Sequence, residues 1–212
     1  STSDWSSDVC SSDLNNANVK YPTLDHRIED TYAKRSTATN KNSLYDSYLR
    51  AIRWASDRLE SAGVIGFVTN GGFIDANTAD GVRLSLAQEF AHIYVFNLRG
   101  NQRTAGELSR KEGGKVFGGG SRATVAITFL VKDPAHSGPA VVHYRDVGDY
   151  LSREDKLAVV ADSRLEDMEW DELIPNEAGD WINQRDPRYA TWQALSEGAS
   201  TKIGRASCRE RV

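Results

Sequence analysis

The chain has 212 residues, a formal net charge of −4 and a mean hydropathy of −0.53, with 39% hydrophobic and 26% charged residues. An acidic chain is not a generic polyanion binder, so any contact with nucleic acid has to come from a local basic patch. No apolar run approaches the roughly 20 residues that span a bilayer, which excludes a membrane-spanning helix.

The two ends read differently from the middle. Asp4–Leu14 (DWSSDVCSSDL) and Ile203–Val212 (IGRASCRERV) each match the translation of a common sequencing-adapter string, so residues 1–14 and 202–212 are set apart as adapter-like. Both cysteines, Cys10 and Cys208, lie in these ends. The remaining insert, 15–201, therefore offers no disulfide framework and no thiolate metal site, and is expected in a reducing, cytoplasmic setting. Its net charge stays at −4, because the ends carry as many bases as acids. His26, His92, His136 and His143 are scattered along the sequence, and no metal site is expected from them.

In chain order, Asn15–Asn42 is polar and aperiodic and predicts a loop-rich segment with one helical turn around Asp25–Ala33. Ser43 and Asp46 have the spacing of a capping-box variant, and Leu44, Tyr48, Ile52 and Leu59 continue a helical stripe towards a stop at Gly63. Val64–Thr69 is apolar apart from Gly66 and predicts a strand covered on both faces. Asn70-Gly71-Gly72 turns the chain at its carboxyl end, where open α/β sheets bind ligands. A helix over Ala79–Phe90, a strand over Ile93–Leu98, a long loop over Arg99–Ser121 and a strand over Ala123–Val131 follow. That order predicts an α/β fold, a partial Rossmann-like sheet ending in a β-hairpin. Beyond it, Val141–Tyr144 predicts a further strand, and Ser152-Arg-Glu-Asp155 is a capping box for a helix through Ala161.

Ser43-Leu-Tyr-Asp-Ser-Tyr-Leu49, Gly63–Asn70, and Val116-Phe117 followed by Ala123–Lys132 resemble the segments that follow the catalytic tetrapeptide in adenine-specific DNA methyltransferases. The wider wording, YPTLDHRIEDTYAKRS, KNSLYDSYLRAIRWASDR and NLRGNQRTAGELSRKEGG, resembles more narrowly the methyltransferase part of type ISP restriction-modification enzymes. The resemblance spans Asn15 to about Leu195. It implies S-adenosylmethionine as cofactor, double-stranded DNA as partner, and a division into the carboxyl-terminal half of a catalytic domain (15–133) and a connection towards a target-recognition domain (134–201). The Asn-Pro-Pro-Tyr tetrapeptide and the glycine-rich cofactor loop are absent, as are nuclease and helicase-like parts. The expectation is a fragment, inactive alone, with no catalytic residue of its own.

An enzyme that methylates an adenine amino group must extrude the base and hold it by stacking. By resemblance, Phe117 stands where the family places a side chain against the extruded adenine; the alternative is core packing at the mouth of a strand. Tyr48 matches a position near the cofactor's adenine, but it also falls on an apolar helical stripe, the mark of a core residue. Thr69 and Asn70 end a strand at the ligand edge, although Asn-Gly-Gly is also ordinary turn chemistry. The loop holds Arg99, Arg103, Arg110, Lys111, Lys115 and Arg122 against Glu107 and Glu112. This mobile basic loop suits phosphate contacts; alternatively its charges are merely solvated. Trp181-Ile-Asn-Gln-Arg185 is expected at an interface, exposed or half-buried. An RNA or small-molecule methyltransferase, and a non-catalytic DNA-binding or coupling module, remain as rival functions.

Overall fold

The computed structural model describes residues 20–117, 122–186 and 188. The adapter-like ends lie outside the described residues. Pro22 opens helix α1 (Pro22–Ile28), which runs on into a wider π-helical turn, Glu29–Ala33. The expected single turn is thus a continuous helical segment, fixed by burial of Ile28, Tyr32 and Ala33 rather than by any local period. After a 3₁₀ turn at Asn42–Tyr45 come α2 (Ser47–Ser56), β1 (Gly63–Asn70), α3 (Asp80–Glu89) and β2 (His92–Arg99). Then follow α4 (Gly106–Glu112), β3 (Val125–Lys132), β4 (Val141–Asp146), α5 (Arg153–Asp162) and β5 (Asp171–Leu173).

The Ser43–Asp46 capping box does not form. Asp46 precedes α2 but its side chain caps nothing, and the Ser43 hydroxyl donates instead to Thr78 at 3.0 Å. The Ser152–Asp155 box does form, with the Ser152 hydroxyl accepting from the Asp155 amide at 3.1 Å and the Asp155 carboxylate accepting from the Ser152 amide at 3.0 Å.

The five strands form one mixed sheet in the order β1-β3-β2-β4-β5. β3 runs antiparallel to both β1 and β2 and lies between them, so those two run parallel, and β2 pairs in parallel with β4. The hairpin strand is therefore inserted into the sheet rather than appended to its edge. β4 and the edge strand β5 continue the same sheet.

One face of the sheet is closed by α1, α2 and α3. Ile65, Ile93, Val95, Leu130 and Val142 meet Ile28, Leu49, Ile52, Val82 and Leu86 there in a single core. The other face has a smaller cluster in which Phe96, Leu98 and Val125 pack under Val159, Val160 and Trp170. That second layer stops short of β1, where Val64 and Val68 are 63% and 47% exposed. The expectation that β1 is covered on both faces is corrected: the described helices reach only one of them.

Two buried networks lock the first face. Arg53 pairs with Glu89 through Nη1 and Nη2 at 2.7 and 2.8 Å, and Asp57 joins them from the end of α2. Arg83 of α3 donates to the carbonyls of Gly179, Phe73 and Ala76 and to the Asp180 carboxylate. This pins residues 174–186 onto the helical layer. Trp181 is consequently buried and meets Phe73 edge-on at 6.0 Å, which corrects the expectation of an exposed or half-buried interface. Among the described residues, no helix is long and apolar enough to cross a membrane.

Candidate functional site at the strand ends

β1 and β2 are parallel, so Asn70 and Arg99 end at the same edge of the sheet, and the residue 100–124 connection returns there to start β3 opposite Asn70. A cavity of about 190 Å³ opens at this edge, lined among others by Asn70, Asp75, Asn97, Asn101, Arg103 and Glu112. Of the residues expected from sequence it brings together two, Asn70 and Arg103. Thr69 does not line it; its hydroxyl donates to the Asn70 carbonyl at 3.3 Å. The Asn70 side chain accepts from the Gly72 amide at 2.8 Å, so Asn70 both forms the turn and faces the cavity.

Asn97, Asn101 and Thr124 are the residues that sequence reasoning missed. Asn97 is a lone amide within the otherwise apolar run of β2, and that interruption was the available signal. Its Oδ1 accepts from the Arg99 amide at 2.9 Å and from the Thr124 hydroxyl at 3.2 Å, while its Nδ2 donates to the Tyr144 hydroxyl at 3.0 Å. Tyr144 passes its proton towards Asp146 at 3.1 Å. Burial raises the Tyr144 phenol to about 12, so it stays a donor at any ordinary pH. Arg99, with φ of 55°, is held in the left-handed region by these contacts and by its ion pairs to Asp146 and Asp149.

The basic connection is neither a bare loop nor as basic as its own residues suggest. α4 occupies its middle. Asp146, the last residue of β4, and Asp149, three residues beyond it, pair with Arg99, and Asp149 also approaches Lys111 at 3.5 Å. Arg110 pairs with Glu107 on the surface, and Arg122 donates to the Gln102 carbonyl at 3.0 Å. Arg103 and Lys115 are exposed and have no ion pair among the described residues.

Phe117 is 41% exposed, which fits neither a core residue nor a freely projecting one. It follows Val116, which is buried in the second cluster. Tyr48 lies elsewhere. Its ring is 6.4 Å from that of Phe73, burial carries its hydroxyl well above the usual phenol range, and it does not line the cavity.

The histidines are less scattered than in sequence. His92 Nδ1 and His143 Nε2 are 3.2 Å apart, and the His136 ring lies 5.5 Å from that of His92. Burial, with repulsion from His92, lowers the His143 pKa. Among the described residues no group of three or more His, Cys, Asp or Glu side chains could hold a metal ion. A larger hollow of about 310 Å³, lined by Glu60, Glu89, Lys132 and His136, lies by the opposite ends of β1 and β3 and contains none of the expected site residues.

The mixed α/β sheet is similar to segments of solved restriction-modification enzymes in complex with DNA or a DNA mimic. The chain is similar to the structure of a nuclease-deletion mutant of the type ISP restriction-modification enzyme LlaGI in complex with a DNA substrate mimic, at 51% identity and a TM-score of 0.79, over 87% of this chain and 18% of that one. It is also similar to the ATP-dependent type ISP restriction-modification enzyme LlaBIII bound to DNA (39% identity, TM-score 0.75, 85% of this chain and 12% of that one). A DrdV–DNA complex is similar at 38% identity and a TM-score of 0.76, over 81% of this chain and 16% of that one. The chain spans less than a fifth of the length of each. No protein-family model and no curated protein matches it.

Proposed function

We propose that this chain is part of a type ISP restriction-modification polypeptide and forms the carboxyl-terminal half of its S-adenosylmethionine-dependent, adenine-specific DNA methyltransferase domain. The observation that carries the reading is the 51% identity to LlaGI over 87% of the chain, with a TM-score of 0.79. The strand-end cavity supports it, because the parallel strands β1 and β2 deliver their carboxyl ends to one polar edge, the place where open α/β sheets bind ligands.

In this reading Phe117 stacks on the extruded adenine, and Arg103, Lys115 and the partly paired Arg110, Lys111 and Arg122 contact phosphates. Arg99 is a structural member of the site, because Asp146 and Asp149 already neutralise it. S-adenosylmethionine would supply the transferred methyl group, and Tyr48, whose ring lies 6.4 Å from that of Phe73, is the residue that the resemblance sets near its adenine. The chain alone transfers no methyl group.

The test is transfer of labelled methyl from S-adenosylmethionine to duplex DNA by the longer polypeptide and by the 212-residue chain. Expected are N6-methyladenine from the first and background from the second. DNA binding without methylation by the longer polypeptide would favour the non-catalytic module, and methylation of RNA or a small molecule alone would favour the other rival.

A further inference from the structure

The segment that carries Phe117 is held from beyond the hairpin. Lys156 of α5 is fully buried, and its ammonium donates to the carbonyls of Glu112 at 2.6 Å and Gly114 at 2.8 Å. One turn earlier on α5, Arg153 Nε donates to the Val116 carbonyl at 2.9 Å. The backbone joins in: the Gly114 amide donates to Leu151 at 2.9 Å and the Tyr150 amide to Lys111 at 3.1 Å.

The two glycines make this approach possible. A Cβ at Gly113 would lie 2.1 Å from the Leu151 carbonyl oxygen, and one at Gly114 would lie 2.5 Å from the Arg153 nitrogen. Gly113 also has φ of 65°, which turns the chain out of α4. Val116 then drops into the second hydrophobic cluster, and Phe117 beside it is 41% exposed.

A solvated connection would need none of this. Burying a lysine has a large desolvation cost unless its charge has partners, and here both hydrogen-bond acceptors are backbone carbonyls of the segment leading to Phe117, with the Glu112 and Asp146 carboxylates acting at longer range. We infer that Lys156 and Arg153 are positioning residues that set where Phe117 stands, so that α5 works as a part of the base-binding site although it touches neither base nor cofactor. The inference rests on the reading of Phe117 as the stacking residue. It also gives the Ser152–Asp155 capping box a purpose in the site, because the box fixes the α5 end from which Arg153 reaches.

Amide hydrogen exchange on the whole 212-residue chain tests the tether without DNA. Lys156→Met and Arg153→Ala should each speed exchange over residues 113–117 by about tenfold or more, while peptides from β1 and β3 keep their rates. Arg153 is half exposed, so its variant carries the test if Lys156→Met does not fold. Unchanged rates at 113–117, or an equal rise throughout the chain, would overturn the tether.

In the longer polypeptide the same two variants should lower kcat for methylation towards the level of Phe117→Ala and weaken the fluorescence rise of 2-aminopurine placed at the target adenine. Affinity for S-adenosylmethionine should hold, and Arg153→Lys, which keeps a donor, should recover most of the loss. A Phe117→Ala enzyme with normal kcat and normal 2-aminopurine signal would remove the stacking reading and the positioning role with it. An impaired Phe117→Ala beside a fully active Lys156→Met, with its segment loosened, would remove the positioning role alone.

Discussion

Arg83 and Arg103 bear the same side chain at opposite limits of environment. Under the sheet, the Arg83 guanidinium is 1% exposed and is taken up by three carbonyls and the Asp180 carboxylate, joining α3, the turn after β1 and the residue 174–186 segment. At the strand ends, Arg103 is exposed beside a polar cavity and has no ion pair among the described residues. Positive charge inside the fold is thus a device for joining distant segments, whereas positive charge on the connection is left available to a partner. Arg99 falls between the two, since it lies in the connection by sequence but is neutralised like a core residue.

The sharpest way to break this contrast is Arg83→Ala. The substitution takes a donor from the buried carbonyls of Gly179, Phe73 and Ala76 and one of two cations from Asp180, which Arg185 still pairs; lost hydrogen bonds of this kind cost about 3–5 kcal/mol together. For a chain of this size the loss corresponds to a fall in Tm of about 6–20 °C. Thermal unfolding of the 212-residue chain measures it. A Tm within a degree or two of the parent would show that the 174–186 segment is not locked to α3.

Acid probes the same region more gently. Burial alone would raise the Asp180 pKa, but hydrogen bonds from Arg185 and Asn176 carry it well below the usual carboxylate range. Asp57 and Asp80 are lowered as well, by Arg27 and Arg53 in the first case and by Ser36 and Thr37 in the second. A depressed folded pKa contributes stability that is present above the unfolded pKa and is lost as pH falls through the folded one. Stability should therefore hold from neutral pH to about 5 and fall increasingly steeply below 4. Asp180→Asn should start lower and show a shallower acid slope; parallel curves for the two proteins would assign the acid loss to other carboxylates.

What was legible in the sequence follows the range of the forces involved. β1, α3, β2, β3 and β4 came from apolar patterning, and α5 from a capping box whose four residues are contiguous. α4, β5 and the helical segment before residue 34 left little local signal, because tertiary contacts fix them. The insertion of β3 between β1 and β2 could not be read from element order alone. Nor could the burial of Trp181, which depends on Arg83 lying far away in sequence. The site was partly legible for the same reason. Asn70 and Arg103 lie where a strand-end turn and a connection were expected, but the charge balance of the connection was misjudged. The acids that offset it, Asp146 and Asp149, arrive from the end of β4 and the bend after it.

That offset leads to the smallest and most specific expected effect. Counting charges along the connection predicts that any of its six basic residues contributes to DNA binding, whereas the fold singles out Arg103 and Lys115, the two exposed ones whose side chains have neither an ion pair nor a hydrogen bond among the described residues; Arg122, also exposed, is held by the Gln102 carbonyl. In the longer polypeptide, Arg103→Ala with Lys115→Ala should leave Tm unchanged, weaken binding to all DNA sequences alike, and reduce the slope of log affinity against log salt by about 2, one for each phosphate no longer neutralised. Arg99→Ala should do the reverse, lowering Tm by freeing Asp146 and Asp149 while changing the salt slope little. If the two variants exchanged these signatures, Arg99 would be the phosphate ligand and its pairing with the aspartates would have to open on DNA. Titrations at several salt concentrations, with unfolding measured on the same preparations, distinguish the cases, because phosphate contacts carry charge but no sequence information.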